Sequence, residues 1–135
     1  MPKPLTAHRV FISHSREDSE LARDIARRLR GAGFETFEDF EEFGSGAEFK
    51  KHLRERLSQA SVFLILATPR SLRSSWIMTE LGMAEALGRI VIPVTVGLNP
   101  QDLPAPLQSY HAVPFDRLDG AIGELSETLA AGSED

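Results

Sequence analysis

SVFLILATPRSLRSSWIMTEL, running from Ser61 to Leu81, is the stretch whose reading decides the fold. Its first part, Ser61–Ala67, is apolar throughout, and unbroken hydrophobicity over that length suits a strand covered on both faces. The loop Thr68–Ser75 follows, and Ser71–Leu81 opens a helix that runs to about Gly88. The only tryptophan, Trp76, and an acid, Glu80, stand four residues apart and therefore share one face of that helix. An aromatic wall beside a single carboxylate, just past the C-terminal end of a buried strand, is where an α/β domain holds a ligand. The segment points to chemistry on a small molecule.

Upstream, Arg9–Ser13 reads as a short strand with Val10, Phe11 and Ile12 in a continuous apolar row. Ser15-Arg16-Glu17-Asp18 has capping-box spacing and predicts a helix whose apolar stripe is Leu21, Ile25 and Leu29, stopped by Gly31 and Gly33. Phe34–Phe37 is a second strand, followed by an acidic, aromatic loop from Glu38 to Gly44. Ser45-Gly46-Ala47-Glu48 repeats the capping-box pattern before a helix with Phe49, Leu53 and Leu57 buried. Downstream, Ile90–Val96 is a fourth strand, with Pro93 expected towards the end of its pairing because proline cannot donate to a ladder. A proline-rich loop (Pro100, Pro104, Pro106) leads to a fifth strand near Ala112–Phe115 and a last helix presenting Ile122, Leu125 and Leu129.

Strands alternating with helices imply βαβ units and a parallel sheet. Right-handed crossovers leave a flavodoxin-like, doubly wound, five-stranded parallel sheet of order 2-1-3-4-5, with helices on both faces, as the simplest topology. The loops after strands one and three then face each other at the switch point. That brings Ser13, His14, Ser15 and Arg16 near Trp76 and Glu80. Residues 7–131 are expected to form one domain, with 1–6 and 132–135 as flexible ends.

Composition bounds the function. The chain has 135 residues, 41% hydrophobic and 26% charged, with a net charge of −5. An acidic balance argues against a nucleic-acid footprint. With no cysteine there is neither a thiol nucleophile nor a Cys-ligated zinc. No apolar run approaches the ~18 residues of a membrane span, so the expectation is a cytoplasmic protein without a membrane partner. His8, His52 and His111 show no metal-ligand spacing, and no metal is expected. Phosphotransfer of the response-regulator kind fails because Ser13-His14 and Thr68-Pro69 stand where acids are needed. Ser13–Asp18 lacks the glycines of a flavodoxin phosphate loop, and no G-x-x-x-x-G-K-[ST] loop exists.

Three motifs together resemble a family. Val10-Phe11-Ile12-Ser13-His14-Ser15, the loop Glu38–Gly46 leading to Phe49, and Ser71-Leu72-Arg73-Ser74-Ser75-Trp76 with Glu80-Leu81 are similar to the signatures of Toll/interleukin-receptor (TIR) domains, in order and over Arg9 to Leu129. The resemblance implies an enzyme of immune or defence signalling that cleaves the nicotinamide–ribose bond of NAD, giving nicotinamide and ADP-ribose or a cyclic relative. NAD is then the substrate and no cofactor is expected. It implies Glu80 as the catalytic acid and self-association with other TIR domains as the activating event. The arginine–aspartate–proline–glycine loop of many animal members is absent, with Glu42-Phe43-Gly44-Ser45-Gly46 in its place, which leans towards a bacterial enzymatic member. The plant-type arginine–glycine pair is also absent, replaced by His14-Ser15-Arg16.

Expected substrate contacts are Phe11, Ser13, His14, Arg16, Phe37, Ser71 and Trp76. Phe40, Phe43 and Gly44 are the expected interface. Five of the candidates have a plainer alternative: a surface acid for Glu80, core packing for Trp76, a solvated turn histidine for His14, a surface charge for Arg16 and helix capping for Ser71. A capping role for Glu80 needs a Ser, Thr, Asp or Asn three residues earlier, where Ile77 stands. One carboxylate suffices for this chemistry because nicotinamide leaves as a neutral ring from a cationic nitrogen and needs no acid. The rival is a non-catalytic TIR module that recruits similar domains in signal transduction.

Overall fold

A computed structural model describes residues 8–40, 54–73 and 75–133. Five parallel strands, β1 (Arg9–His14), β2 (Glu35–Phe40), β3 (Val62–Ala67), β4 (Ile90–Thr95) and β5 (Val113–Pro114), form one sheet in the order β2-β1-β3-β4-β5. The expected topology is the observed one. The helices are α1 (Ser19–Gly31), α2 (described over 54–59), α3 (Ser75–Ala86), α4 (Ala105–Gln108) and α5 (Leu118–Ser133).

Strand alternation sorts the core into two layers. Even-numbered residues Val10, Ile12, Val62, Leu64, Leu66 and Val94 pack against Ile25 and Leu29 of α1 and Leu118 and Ile122 of α5. Odd-numbered Phe11, Phe63, Ile65 and Val91 pack against Leu57 of α2, Ile77, Leu81 and Ala84 of α3, and Leu107 of α4. All six residues of β3 are buried, as its uniform hydrophobicity predicts.

Several boundaries moved for identifiable reasons. β2 runs three residues past Phe37 because its length follows its partner, from Arg9 opposite Glu35 to His14 opposite Phe40. Phe34 belongs instead to the end of α1, where the Phe34 N–H bonds Leu29 O and the Gly33 N–H bonds Arg30 O, both at 3.0 Å. This closure needs the left-handed conformation at Gly33, whose φ is 99°. Pro93 lies in the middle of the β3–β4 pairing, opposite Ile65, and not towards its end. The N–H groups of Ile90 and Val96 bond Ser61 O and Ala67 O on the β3 side, so the alternating odd positions face the other way. Proline thus costs β3 no donor, and β5 pairs only from Val94 onward. The proline-rich loop carries the short α4, which periodicity does not reveal.

The Ser15–Asp18 capping box is replaced by a 3-10 turn, Arg16–Asp18, ahead of α1. Its Ser15 hydroxyl makes no bond to a helix N–H. It donates to the Asp18 carboxylate instead, at 2.6 Å. The predicted capping box at Ser45 and the residues Phe49 and Leu53 lie outside the described residues. Among the described residues no helix is long and apolar enough to cross a membrane.

Candidate active site

Every buried polar or charged residue among those described sits where strands end. They are Ser13 and His14 of β1, Ser15 just after it, Thr68 and Ser71 after β3, Thr95 of β4, and Glu80 of α3. Parallel strands place all these ends on one edge of the sheet, with the crevice of the switch point between β1 and β3.

The central pair follows from two periodicities. Ser13 is two residues beyond Phe11, so it faces the α3 side of the sheet. Glu80 lies on the stripe of α3 that carries Ile77, Leu81 and Ala84 into the core. Where helix and strand meet, the Ser13 hydroxyl donates to Oε1 of Glu80. Both side chains are 0% exposed. The surface-acid alternative for Glu80 is therefore overturned. Burying a carboxylate is costly without hydrogen-bond donors, and the donor to Oε1 comes from a residue 67 positions away.

A second polar cluster borders this pair. Asp18 Oδ2 accepts hydroxyl bonds from Ser15 Oγ at 2.6 Å and Thr68 Oγ1 at 2.7 Å, and Arg70 lies 3.8 Å from Oδ1. Thr68 and Ser71 cap each other reciprocally: Ser71 N–H bonds Thr68 Oγ1 at 3.1 Å, and Thr68 N–H bonds Ser71 Oγ at 2.9 Å. The Ser71 hydroxyl donates to Leu66 O at 2.8 Å. Ser71 thus braces the turn after β3 from inside, fully buried, where a helix N-cap was the plain expectation.

The remaining candidates scatter. His14 is the last residue of β1 and is buried, with Nδ1 2.7 Å from Ser15 O, so the solvated-turn alternative fails. Arg16 is exposed in the 3-10 turn. Phe11 is buried, its ring centroid 5.7 Å from that of Phe63. Phe37 pairs with Phe11, three residues before the end of β2, with the Arg9 and Arg56 guanidiniums each 5.8 Å from its ring centroid. The side chains of Trp76 and Phe40, and the whole of Phe43 and Gly44, lie outside the described residues. No group of three or more His, Asp or Glu side chains among the described residues is placed to hold a metal. A cavity of about 470 Å³ between β5 and α5, lined by His111, Val113, Arg117, Gly120 and Glu124 among others, shares no residue with the polar edge.

Sequence reasoning missed Asp18 and Thr68 as parts of the site. Their signals were present but misassigned. The capping-box spacing of Ser15-x-x-Asp18 presents Asp18 as the acid of a helix cap, and Thr68-x-x-Ser71 has capping spacing of its own.

The chain matches the family model of the TIR domain over residues 10–127. A similar protein, the 2' cyclic ADP-D-ribose synthase BtTIR of Bacteroides thetaiotaomicron, is 32% identical over 99 residues, covering 70% of this chain and 34% of that protein. The chain therefore spans about a third of that relative's length. The TIR domain of the Toll-related receptor TRR-2 from Hydra magnipapillata superposes with a TM-score of 0.65 at 16% identity, covering 93% of this chain and 98% of that one. A metazoan TIR-STING receptor from C. gigas gives 0.66 at 24% identity, over 91% of this chain and 41% of that one. At these identities the two structures speak to the fold.

Proposed function

This chain belongs to the TIR-domain family, and on that premise we propose that it is an NAD nucleosidase with Glu80 as its catalytic carboxylate. The reaction breaks the bond between C1 of the ribose and the nicotinamide nitrogen. The bonding electron pair leaves with the ring, which becomes neutral, and positive charge develops on the ribose as in glycoside hydrolysis. Water then captures the sugar and gives ADP-ribose, or a ribose hydroxyl of the same molecule captures it and closes a cyclic ADP-ribose; in either case the attacking oxygen loses its proton to solvent.

The observation that carries this reading is the position of Glu80: a carboxylate at the carboxyl edge of the sheet, inside the core, with Ser13 fixing one oxygen. A preorganised negative group in a water-poor site stabilises a developing cation far more than it would in water. The Ser13 bond limits rotation of the carboxylate, so little reorganisation is needed as charge appears. The relative named as a cyclic ADP-ribose synthase supports the choice of substrate.

The same burial supports activation by self-association. A carboxylate with no exposed surface in the single chain meets a ribose only after its neighbours shift, and docking of a second copy is a means of shifting them. Nicotinamide release from concentrated protein incubated with NAD, beside a Glu80→Gln control, tests the chemistry. Specific activity is expected to rise with protein concentration. NAD turnover that survives in Glu80→Gln refutes the assignment, and full activity in a dilute, demonstrably monomeric sample refutes the activation. A wild type that releases no nicotinamide under clustering conditions favours the interaction module instead.

A further inference from the structure

We propose that Asp18 is a positioning residue for Glu80, acting through a hydrogen-bonded clasp between the turns that follow β1 and β3. The proposal rests on the reading of Glu80 as the catalytic group, and it assigns a role to a carboxylate that the reaction itself does not use. Asp18 comes from the first turn and Thr68 from the second, 50 positions apart, and their bond joins the two sides of the switch-point crevice.

Each side of the clasp is anchored to its own element. On the β1 side, Ser15 donates to the same Asp18 oxygen, and the Asp18 N–H bonds Ser15 O at 3.0 Å. Ser15 is two residues from Ser13. On the β3 side, Thr68 is locked to Ser71, and Ser71 to Leu66 O within β3. This turn leads into α3, which carries Glu80. Fixing the turns to each other therefore fixes the two elements whose side chains meet in the Ser13–Glu80 bond.

The chemistry of the clasp suits a rigid role. Hydroxyl-to-carboxylate bonds are charge-assisted and short, and 2.6 and 2.7 Å agree with that. The Asp18 side chain is 11% exposed, so water competes weakly for its oxygens. Arg70, 61% exposed and 3.8 Å away, adds little by comparison.

The test uses the full chain, NAD as the probe, and Asp18→Asn, Thr68→Val and Thr68→Ser variants. Asp18→Asn keeps the shape and removes the charge shared by two hydroxyls. Its kcat is expected to fall about ten-fold or more with KM little changed, since small displacements of a reacting group act on the chemical step. Thr68→Ser, which keeps the hydroxyl, is expected to recover most of the loss seen in Thr68→Val. The Asp18→Asn/Thr68→Val double variant is expected to be no slower than the worse single variant, because both break one link. A structural role alone would lower the melting temperature and leave kcat per folded molecule within about two-fold of wild type, which overturns the proposal. Should Asp18→Asn fail to fold, the Thr68 pair decides on the same criteria. The carboxyl carbon resonance of Glu80 separates this proposal from the NAD reading. If wild type cleaves no NAD, the substrate assignment fails. The clasp then stands if Asp18→Asn or Thr68→Val moves that resonance, and falls if neither does.

Discussion

The two ends of the sheet use polar side chains in opposite ways. At the carboxyl end, Ser13, His14, Thr68, Ser71 and Glu80 are buried and bonded to one another or to backbone. At the amino end the contacts are half-buried or exposed. Arg9 pairs with Glu35 at 2.6 Å and stacks on Phe37, His8 meets Ser61 at 3.0 Å, Arg89 reaches Ser58 O, and Tyr110 donates to Glu85 on the last turn of α3. Exposed pairs of this kind contribute little because water screens them and long side chains lose entropy. Buried polar side chains cost stability unless they are bonded, and those of the described residues gather at the carboxyl end. The cavity between β5 and α5 touches none of these buried polar groups.

The largest expected effect tests the carboxyl end directly. Glu80→Gln keeps volume and removes charge, and NAD cleavage should fall on the order of 10²–10³-fold, measured as nicotinamide release. Ser13→Ala should cut turnover about ten-fold by freeing the carboxylate to rotate. It should also cost about 1–3 kcal/mol in a denaturant titration, because a buried oxygen loses its hydroxyl donor. A Ser13→Ala protein with unaltered stability would mean that the buried pair is no more coupled than a surface contact.

At the amino end, Tyr110 is the only tyrosine, so its tyrosinate absorbance titrates alone. Its hydrogen bond to Glu85, with burial and the negative carboxylate adding to it, pushes its pKa up from 10.0 to about 12. The folded value lies above the unfolded one. The stabilisation is therefore complete below pH 10 and disappears as pH rises through about 12. Glu85→Gln should return the midpoint towards 10.0 and leave NAD turnover intact. The smallest effect belongs to Arg9→Ala, whose partner is half-exposed. Less than about 1 kcal/mol should be lost, with no change in turnover. A large loss of activity there would erase the distinction between the ends.

Much of this was legible in advance because local patterns and connection rules act on neighbouring residues. The uniform hydrophobicity of Val62–Ala67 marked a central strand, the stripe of Leu21, Ile25 and Leu29 marked α1, and right-handed crossovers left one strand order. Glu80 stood out through its neighbours and the family signature. The proline-loop helix α4 was not legible, since Ala105–Gln108 is too short to show a period. Nor was the length of β2, which its partner strand dictates.

The amino-acid sequence by itself determined the parallel sheet, its strand order, the family and the residue type at position 80. Tertiary structure alone decided that Glu80 is buried, that Ser13 is its partner, and that Asp18 ties together turns 50 residues apart. Periodicity states which face of an element a side chain occupies. Which residues meet depends on how far each strand slides and each helix turns against its neighbours, and the packing of the whole core fixes those offsets.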